Sequence, residues 1–393
     1  MYKMIIERDI QPEVFEALRS YPVVVITGAR QSGKTTLAQM VSNKPYFNLE
    51  SLDIRNLVIN DPRMFLNKIK ETGCILDEFQ RVPELASYLQ ELVDLKKENG
   101  FLILTGSNNF LLMENVSQSL AGRVAILKLM PFSLNELKNY NRNISTDELL
   151  FSGFYPIIYS ENRNPAKAYD YYIQTYIERD IRQLINVRDL HLFHRFLQLC
   201  AGRTAQIVNF EQLANETGTS AKTIKSWISV LETSFIIYLL PPYFENINKR
   251  IVKSPKLYFN DVGLVSNLLG IENAEQIKSH PLRGQLFENM VVSEYIKHRY
   301  NSGLNFNLSY YRDNHGNEID MIFKKGNTVF ASEIKSSQTY HSSFSDKLSW
   351  FERIHKHTNF QKVLVYDGKE EWSSENHTII NYRNFISKLI ELI

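Results

Sequence analysis

Cysteine is scarce in this 393-residue chain, where only Cys74 and Cys200 occur. Two thiols build no disulfide scaffold, and Cys74 lies in the apolar run Cys74-Ile75-Leu76, which reads as a buried strand, so a reducing cytosol is expected. Net charge is also lacking, because 45 basic side chains face 43 acidic ones, leaving +2. The whole molecule projects no strong field towards nucleic acid, and any such contact has to be a local patch. Long hydrophobic runs are missing too: Phe235 to Leu240, followed by Pro241 and Pro242, falls far short of the about 20 residues that cross a bilayer. Lys3, Glu7, Arg8 and Asp9 interrupt the apolar start, which excludes an unbroken secretory signal core. A cytoplasmic location is the expectation.

What is present is ordinary for a globular chain: 44% hydrophobic and 22% charged residues, with a length that suggests two or three packed domains. From Pro22 to about Tyr140, apolar runs alternate with helical patterns. Val23 to Thr27, Tyr46 to Leu49, Cys74 to Leu76, Phe101 to Thr105 and Val124 to Leu129 read as strands. Such alternation predicts an α/β fold, a parallel sheet with helices on both faces. Leu150 to Asn209 carries Tyr169, Tyr172, Tyr176, Ile177 and Ile181 at helical spacing and is expected to be all-helical. Phe210 to Thr217 and Ala221 to Leu231 then read as helix, turn, helix, broken at Gly218 and capped by Thr219 and Ser220. Phe235 to Leu240 and the basic stretch Lys249 to Tyr258 complete a winged-helix pattern. A helix from Leu286 to His298 and strands at Leu308 to Arg312, Glu318 to Phe323 and Val329 to Ile334 predict a closing mixed α/β domain.

Gly28-Ala29-Arg30-Gln31-Ser32-Gly33-Lys34-Thr35 is a full G-x-x-x-x-G-K-[ST] match between an apolar strand and the helical run that opens with Thr36. Its glycines let the backbone curl so that N–H groups converge on phosphate, helped by the positive end of the helix that follows. Lys34 is expected to reach the β- and γ-phosphates of ATP, and the Thr35 hydroxyl to bind Mg2+. Asp77 and Glu78 end the Cys74 strand at the edge where ligands sit; Asp77 is assigned to the metal and Glu78 to the attacking water. Ser107 and Asn108, at the tip of the next strand, can sense the γ-phosphate or form a plain polar turn. Arg123 can serve as an arginine finger, in its own site or a neighbour's, or be a surface residue.

These segments resemble the bacterial and archaeal ATPases of the AAA+ superfamily that carry a carboxy-terminal domain called DUF4143. The resemblance rests on Ile75-Leu76-Asp77-Glu78-Phe79-Gln80-Arg81-Val82-Pro83, Leu104-Thr105-Gly106-Ser107, Ser119-Leu120-Ala121-Gly122-Arg123, Gly153-Phe154-Tyr155-Pro156 and Lys253-Ser254-Pro255-Lys256-Leu257-Tyr258-Phe259. It implies a sheet in which the strand ending at Thr105 lies between the P-loop strand and the Asp77 strand, which favours a sensor role for Ser107 and Asn108 and raises Arg123. The expected division is 1–145 for the P-loop domain, 146–260 for the helical and winged-helix domain, and 261–393 for the DUF4143-type domain.

Two further patterns bear on partners. Lys222, Lys225, Lys249, Arg250, Lys253 and Lys256 form a basic set on the second helix and wing, read either as phosphate contacts to DNA or as a solvated face of a protein-protein module. Glu288 on a helix, Asp320 on a strand, and Glu333 with Lys335 on the next resemble the PD-(D/E)xK nuclease site in order and residue type. That resemblance implies a second Mg2+ or Mn2+, with an inactive relic as the alternative. No Cys pair or nearby carboxylate-histidine set completes a metal site around His191 and His194, which read as partner or core histidines, and Tyr169, Tyr171, Tyr172 and Tyr176 are better explained by helix packing than by base stacking. The leading expectation is a Mg2+-dependent ATPase acting on DNA. A nucleotide-controlled switch or scaffold that binds a protein partner is the alternative, a small-molecule kinase is disfavoured, and a homo-oligomer stays open.

Overall fold

A computed structural model describes residues 5–107, 119–140, 143–181, 189–243, 254–355 and 359–392. Five strands, β1 (Val23–Gly28), β2 (Tyr46–Asn48), β3 (Cys74–Asp77), β4 (Leu102–Gly106) and β5 (Val124–Leu129), form a sheet of order β2-β3-β4-β1-β5. Every pairing is parallel, with Val23 opposite both Leu102 and Val124. The expected position of the Thr105 strand, between the P-loop and Asp77 strands, is therefore observed. β1, β3 and β4 are buried along their whole length, which explains their unbroken apolar runs. Alternate side chains feed two cores. Val23, Val25, Leu76 and Leu104 pack on one face with Phe65 and Leu89, and Val24, Ile26, Ile75 and Ile103 on the other with Val14 and Leu37.

The middle of the chain is mostly helical, with one strand the pattern did not show: β6 (Gln206–Ile207) pairs with β8 (Lys256–Phe259), which pairs with β7 (Ile237–Leu240), all antiparallel. Between β6 and β7, Phe210–Thr217 and Ala221–Thr233 are the two expected helices. Asn209 caps the first through the N–H groups of Glu211 and Gln212, and Ser220 caps the second through that of Thr223. Tyr169, Tyr172 and Tyr176 are buried in helix packing, whereas Tyr171 is exposed. Residues 262–268, which the pattern left without an element, form a helix anchored by Asp261: its carboxylate accepts from Leu264 N, Phe154 N and Tyr169 OH.

Six strands close the chain in the order β13-β14-β12-β11-β10-β9, namely β9 (Leu308–Arg312), β10 (Glu318–Lys325), β11 (Thr328–Lys335), β12 (Phe360–Tyr366), β13 (Trp372–Ser373) and β14 (His377–Asn381). β9, β10 and β11 are antiparallel, whereas β11, β12 and β14 run parallel. Helix Arg283–Asn301 is buried nearly all round, from Leu286 and Phe287 to Tyr295 and Ile296. Such burial marks a helix packed between layers rather than on a surface. Its Glu294 accepts from Leu134 N (2.8 Å), and its Lys297 donates to Phe132 O (2.7 Å), tying it to the chain that leaves β5. Among the described residues no helix is long and apolar enough to cross a membrane.

Candidate nucleotide site

The P-loop turns at the carboxyl end of β1. Gly28 has φ 141°, and a Cβ there would overlap the carbonyl oxygen of Leu129 on the neighbouring strand, so only glycine lets the chain pass. Gln31, a non-glycine residue, is also left-handed (φ 64°), and Gly33 (φ 95°) leads into the helix Lys34–Val41. Lys34 folds back into this turn, donating to Gly28 O (3.1 Å) and Ala29 O (2.7 Å). Burial pulls its pKa down to about 8, against the opposing pull of Glu78 and Asp77. Ser32 Oγ is buried within the loop without a hydrogen-bond partner. A buried ammonium and an orphaned hydroxyl in a ring of backbone turns fit a phosphate ligand.

Asp77 gathers donors from three elements: Thr35 Oγ1 (2.9 Å), Tyr46 OH (2.7 Å) and Thr105 Oγ1. The Thr35–Asp77 link spans the two halves of the expected magnesium site, and a hydroxyl beside a carboxylate is a fitting oxygen donor set for that ion. Tyr46 and Thr105, which the sequence pattern did not single out, are thus brought to Asp77. Glu78 follows in the left-handed region (φ 55°), a strained conformation for glutamate. The strand's alternation stops at that kink, and Glu78 lines the same cavity as Lys34 and Thr35, of about 290 Å³. Its Oε2 accepts from Gln80 Nε2, and from Ser107 Oγ at 3.4 Å. Ser107 therefore stands beside the carboxylate assigned to the water; Asn108 lies outside the described residues.

A further residue escaped the pattern. Arg8, buried before the first helix, donates from Nη1 to Ser32 O (2.6 Å), from Nη2 to Met130 O (2.7 Å) and from Nε to Glu136 (3.0 Å). One guanidinium thus ties the P-loop to the chain that leaves β5. The cavity is completed by Ile5, Ile6, Met40, Phe132, Pro156 and Ile157, an apolar ring to which the middle region contributes. Arg30 and Thr36 line it as well, and the Arg30 guanidinium lies 5.2 Å from the ring centre of Tyr176.

Family models match three consecutive stretches of the chain: an AAA domain over residues 20–138, a domain of unknown function (DUF8612) over 143–275, and a domain of unknown function (DUF4143) over 283–385. The uncharacterised protein Rv2008c of Mycobacterium tuberculosis is 30% identical over 344 residues, covering 86% of this chain and 75% of that one. This chain belongs to the family of AAA-domain ATPases that carry DUF4143. An uncharacterised protein of Haemophilus influenzae is 22% identical over 378 residues, covering 87% of this chain and 88% of its own. Among solved structures, the Walker-type ATPase PABY2304 of Pyrococcus abyssi is similar at a TM-score of 0.43 and 16% identity, covering 67% of this chain and 96% of that one. RuvB of Thermotoga maritima is similar at 0.32 and 18%, covering 60% and 90%.

In this AAA-domain ATPase the remaining candidate residues fall in three places. Arg123 does not join the site of its own chain. Its carbonyl accepts from Val23 N at the start of β1, the opposite end of the sheet from Lys34, and its guanidinium pairs with both oxygens of Asp94. Lys222 and Lys225 are exposed on the helix Ala221–Thr233, whereas Lys249, Arg250 and Lys253 lie outside the described residues. Lys256 has to be removed from that basic surface set, because its side chain is 1% exposed and points into the DUF4143 region. His191 and His194 sit on the helix Leu190–Ala201, and among the described residues no group of three or more His, Cys, Asp or Glu side chains is placed to hold a metal ion.

Glu288, Asp320 and Lys335 line one cleft of about 460 Å³, together with Glu318, Arg312 and Lys256. One position beyond the Met321–Ser332 pair of the β10–β11 ladder, Glu333 faces Asp320 and is fully buried. Lys335, two residues along the strand and on the same face, donates to it at 2.6 Å, and Lys347 lies 3.2 Å away. Burial, and then the Asp320 charge, push the Glu333 pKa up. The four expected residues are thus neighbours, but they share the cleft with cations that the pattern did not place there.

Proposed function

We propose that this protein binds ATP in the P-loop and hydrolyses it, using the cycle to move the middle and DUF4143 regions against the sheet. The observation that carries this reading is the convergence of Lys34, Thr35, Asp77 and Glu78 at the carboxyl ends of β1 and β3. A carboxylate beside the phosphate cradle can accept the proton of a water whose oxygen attacks the γ-phosphorus, with ADP as the leaving group. Lys34 supplies positive charge to the phosphates, and Ser107 orients Glu78. Thr35 and Asp77 would hold magnesium, which would supply positive charge against the phosphate oxygens. Pro156 and Ile157 give the middle region a wall of the same cavity, a physical route from nucleotide state to movement.

Glu78→Gln is expected to retain ATP binding while turnover falls by about 10² or more. Unchanged turnover in that variant would show that another group takes the proton. We further propose cytoplasmic action on DNA, through the exposed Lys222 and Lys225 and the three-stranded sheet behind them, arranged as a winged helix. Replacing both lysines with glutamine is expected to reduce the slope of log affinity against log salt by about 2 on duplex DNA. An unchanged slope, or no DNA retention by the parent protein at low salt, contradicts this part. A second reading, a nucleotide-controlled switch with a protein partner and a silent nuclease-like domain, is favoured by the position of Lys256. Turnover stimulated by DNA supports the first, and stimulation by protein alone the second.

A further inference from the structure

Strand β8 is buried along its whole length and alternates in the ordinary way, so that Leu257 and Phe259 share one face while Lys256 and Tyr258 share the other. Both members of that pair go to one acceptor. Lys256 Nζ donates to Glu288 Oε1 (2.9 Å), and Tyr258 OH donates to the same oxygen (2.6 Å). The ammonium also lies 2.5 Å from Glu318 Oε1 and 3.8 Å from Asp320 Oδ1. Its three carboxylates come from helix Arg283–Asn301 and from β10. A lysine has three N–H donors and no acceptor, so an all-carboxylate surrounding suits it.

The rest of the cluster is matched charge for charge, although Glu333 Oε2 is buried without a hydrogen-bond partner. Glu318 Oε2 accepts from Arg312 (3.1 Å), Asp320 Oδ2 from the Ile334 N–H (2.9 Å), and Glu333 Oε1 from Lys335 (2.6 Å). Glu288, Glu318, Asp320 and Glu333 are thus met by Lys256, Arg312, Lys335 and Lys347, four carboxylates and four cations. A divalent ion entering here would bring charge to a cluster already neutral and would have to displace a buried ammonium. Lys256 is enclosed, with 1% of its side chain exposed, and its backbone is fixed because β8 is the central strand of its sheet, held by β6 and β7 on either side.

We propose that the cleft of the DUF4143 region takes Lys256 of the same chain as its resident cation, in place of a metal ion, and that this contact locks the middle sheet to the C-terminal sheet. Nuclease chemistry that depends on a metal in this cleft is then silent while β8 is docked. The inference does not rest on ATP hydrolysis, and its test omits nucleotide.

Mn2+ uptake by the full-length protein is followed from the loss of the free-ion electron paramagnetic resonance signal, in wild type and in Asp320→Asn. Equal uptake by the two is expected, since any Mn2+ bound elsewhere is common to both; an Asp320-dependent Mn2+ site in the wild type overturns the proposal. Lys256→Met is expected to lower the unfolding midpoint by about 10 °C, because it strands buried carboxylates. Adding Asp320→Asn to that variant should recover part of the loss by removing surplus negative charge. A Lys256→Met protein that melts like the wild type also overturns it. Should Lys256→Met fail to fold, the comparison between wild type and Asp320→Asn decides alone.

Discussion

Lys34 carries the clearest pH-dependent consequence at the scale of one residue. Burial holds its pKa at about 8, well below that of a free lysine, so the unfolded chain binds more protons than the folded one between that value and the usual lysine range. The contribution of this group to the stability of the nucleotide-free protein is therefore present above that range and lost as pH falls through about 8. Phosphate reverses the preference by favouring the charged form. Nucleotide binding should then draw in about 0.7 proton at pH 8.5 and about 0.1 at pH 7, with affinity weakening as pH rises beyond 8. Calorimetry in two buffers of different ionisation enthalpy measures this directly, and identical heats at pH 8.5 would refute it. Lys34 and its loop were legible in the sequence because the motif is contiguous. Tyr46 and Thr105 were not, since their contact with Asp77 exists only once three strands are in register, and the backbone kink at Glu78 leaves no mark in residue type.

At the scale of elements, what the sequence showed follows from burial. β1, β3 and β4 are enclosed on both faces and so announce themselves as apolar runs, and the helices Phe210–Thr217 and Ala221–Thr233 carry their caps beside them. β6 is two residues long and gave no period to read, and the helix Val262–Leu268 is buried at nearly every position, Gly263 and Ser266 included, so it shows no apolar stripe against a polar face. Arg8 illustrates a contact to the P-loop with no local signal at all. It precedes the first helix among charged neighbours, yet its guanidinium joins the P-loop, the chain beyond β5 and Glu136. A lysine would keep the charge but lose the planar fork that reaches three acceptors at once. Arg8→Lys is accordingly expected to weaken ATP binding by roughly tenfold, about 1.4 kcal/mol, while the far-ultraviolet dichroism stays that of the parent. Binding of parental strength would show that the loop holds its shape without this brace.

For the molecule as a whole, the open matter is whether one chain makes a complete site. The sequence placed Arg123 in a segment that resembles an arginine finger but could not say in which copy it acts, because strand direction decides that. β5 runs parallel to β1, and Arg123 stands where both strands begin, while Lys34 follows the end of β1. Six strand residues of about 3.3 Å each separate the two ends by roughly 20 Å, too far for a guanidinium to reach the phosphates of its own chain. Its pairing with Asp94 at an exposed edge leaves two readings: a surface ion pair worth little, or a finger that Asp94 holds ready for a neighbouring copy. Mixing separates them. Lys34→Ala chains keep the finger and lose the phosphate lysine, and Arg123→Ala chains do the reverse, so each alone is expected to turn over ATP at least about 10² more slowly than wild type. If Arg123 acts in trans, some sites in a mixed assembly pair an intact Lys34 with an intact Arg123, and turnover rises well above the sum of the two preparations. If turnover in the mixture equals that sum, or Arg123→Ala alone is fully active, Arg123 serves only its ion pair with Asp94. A steady-state ATPase assay across mixing ratios, with a maximum expected at intermediate composition, distinguishes the two.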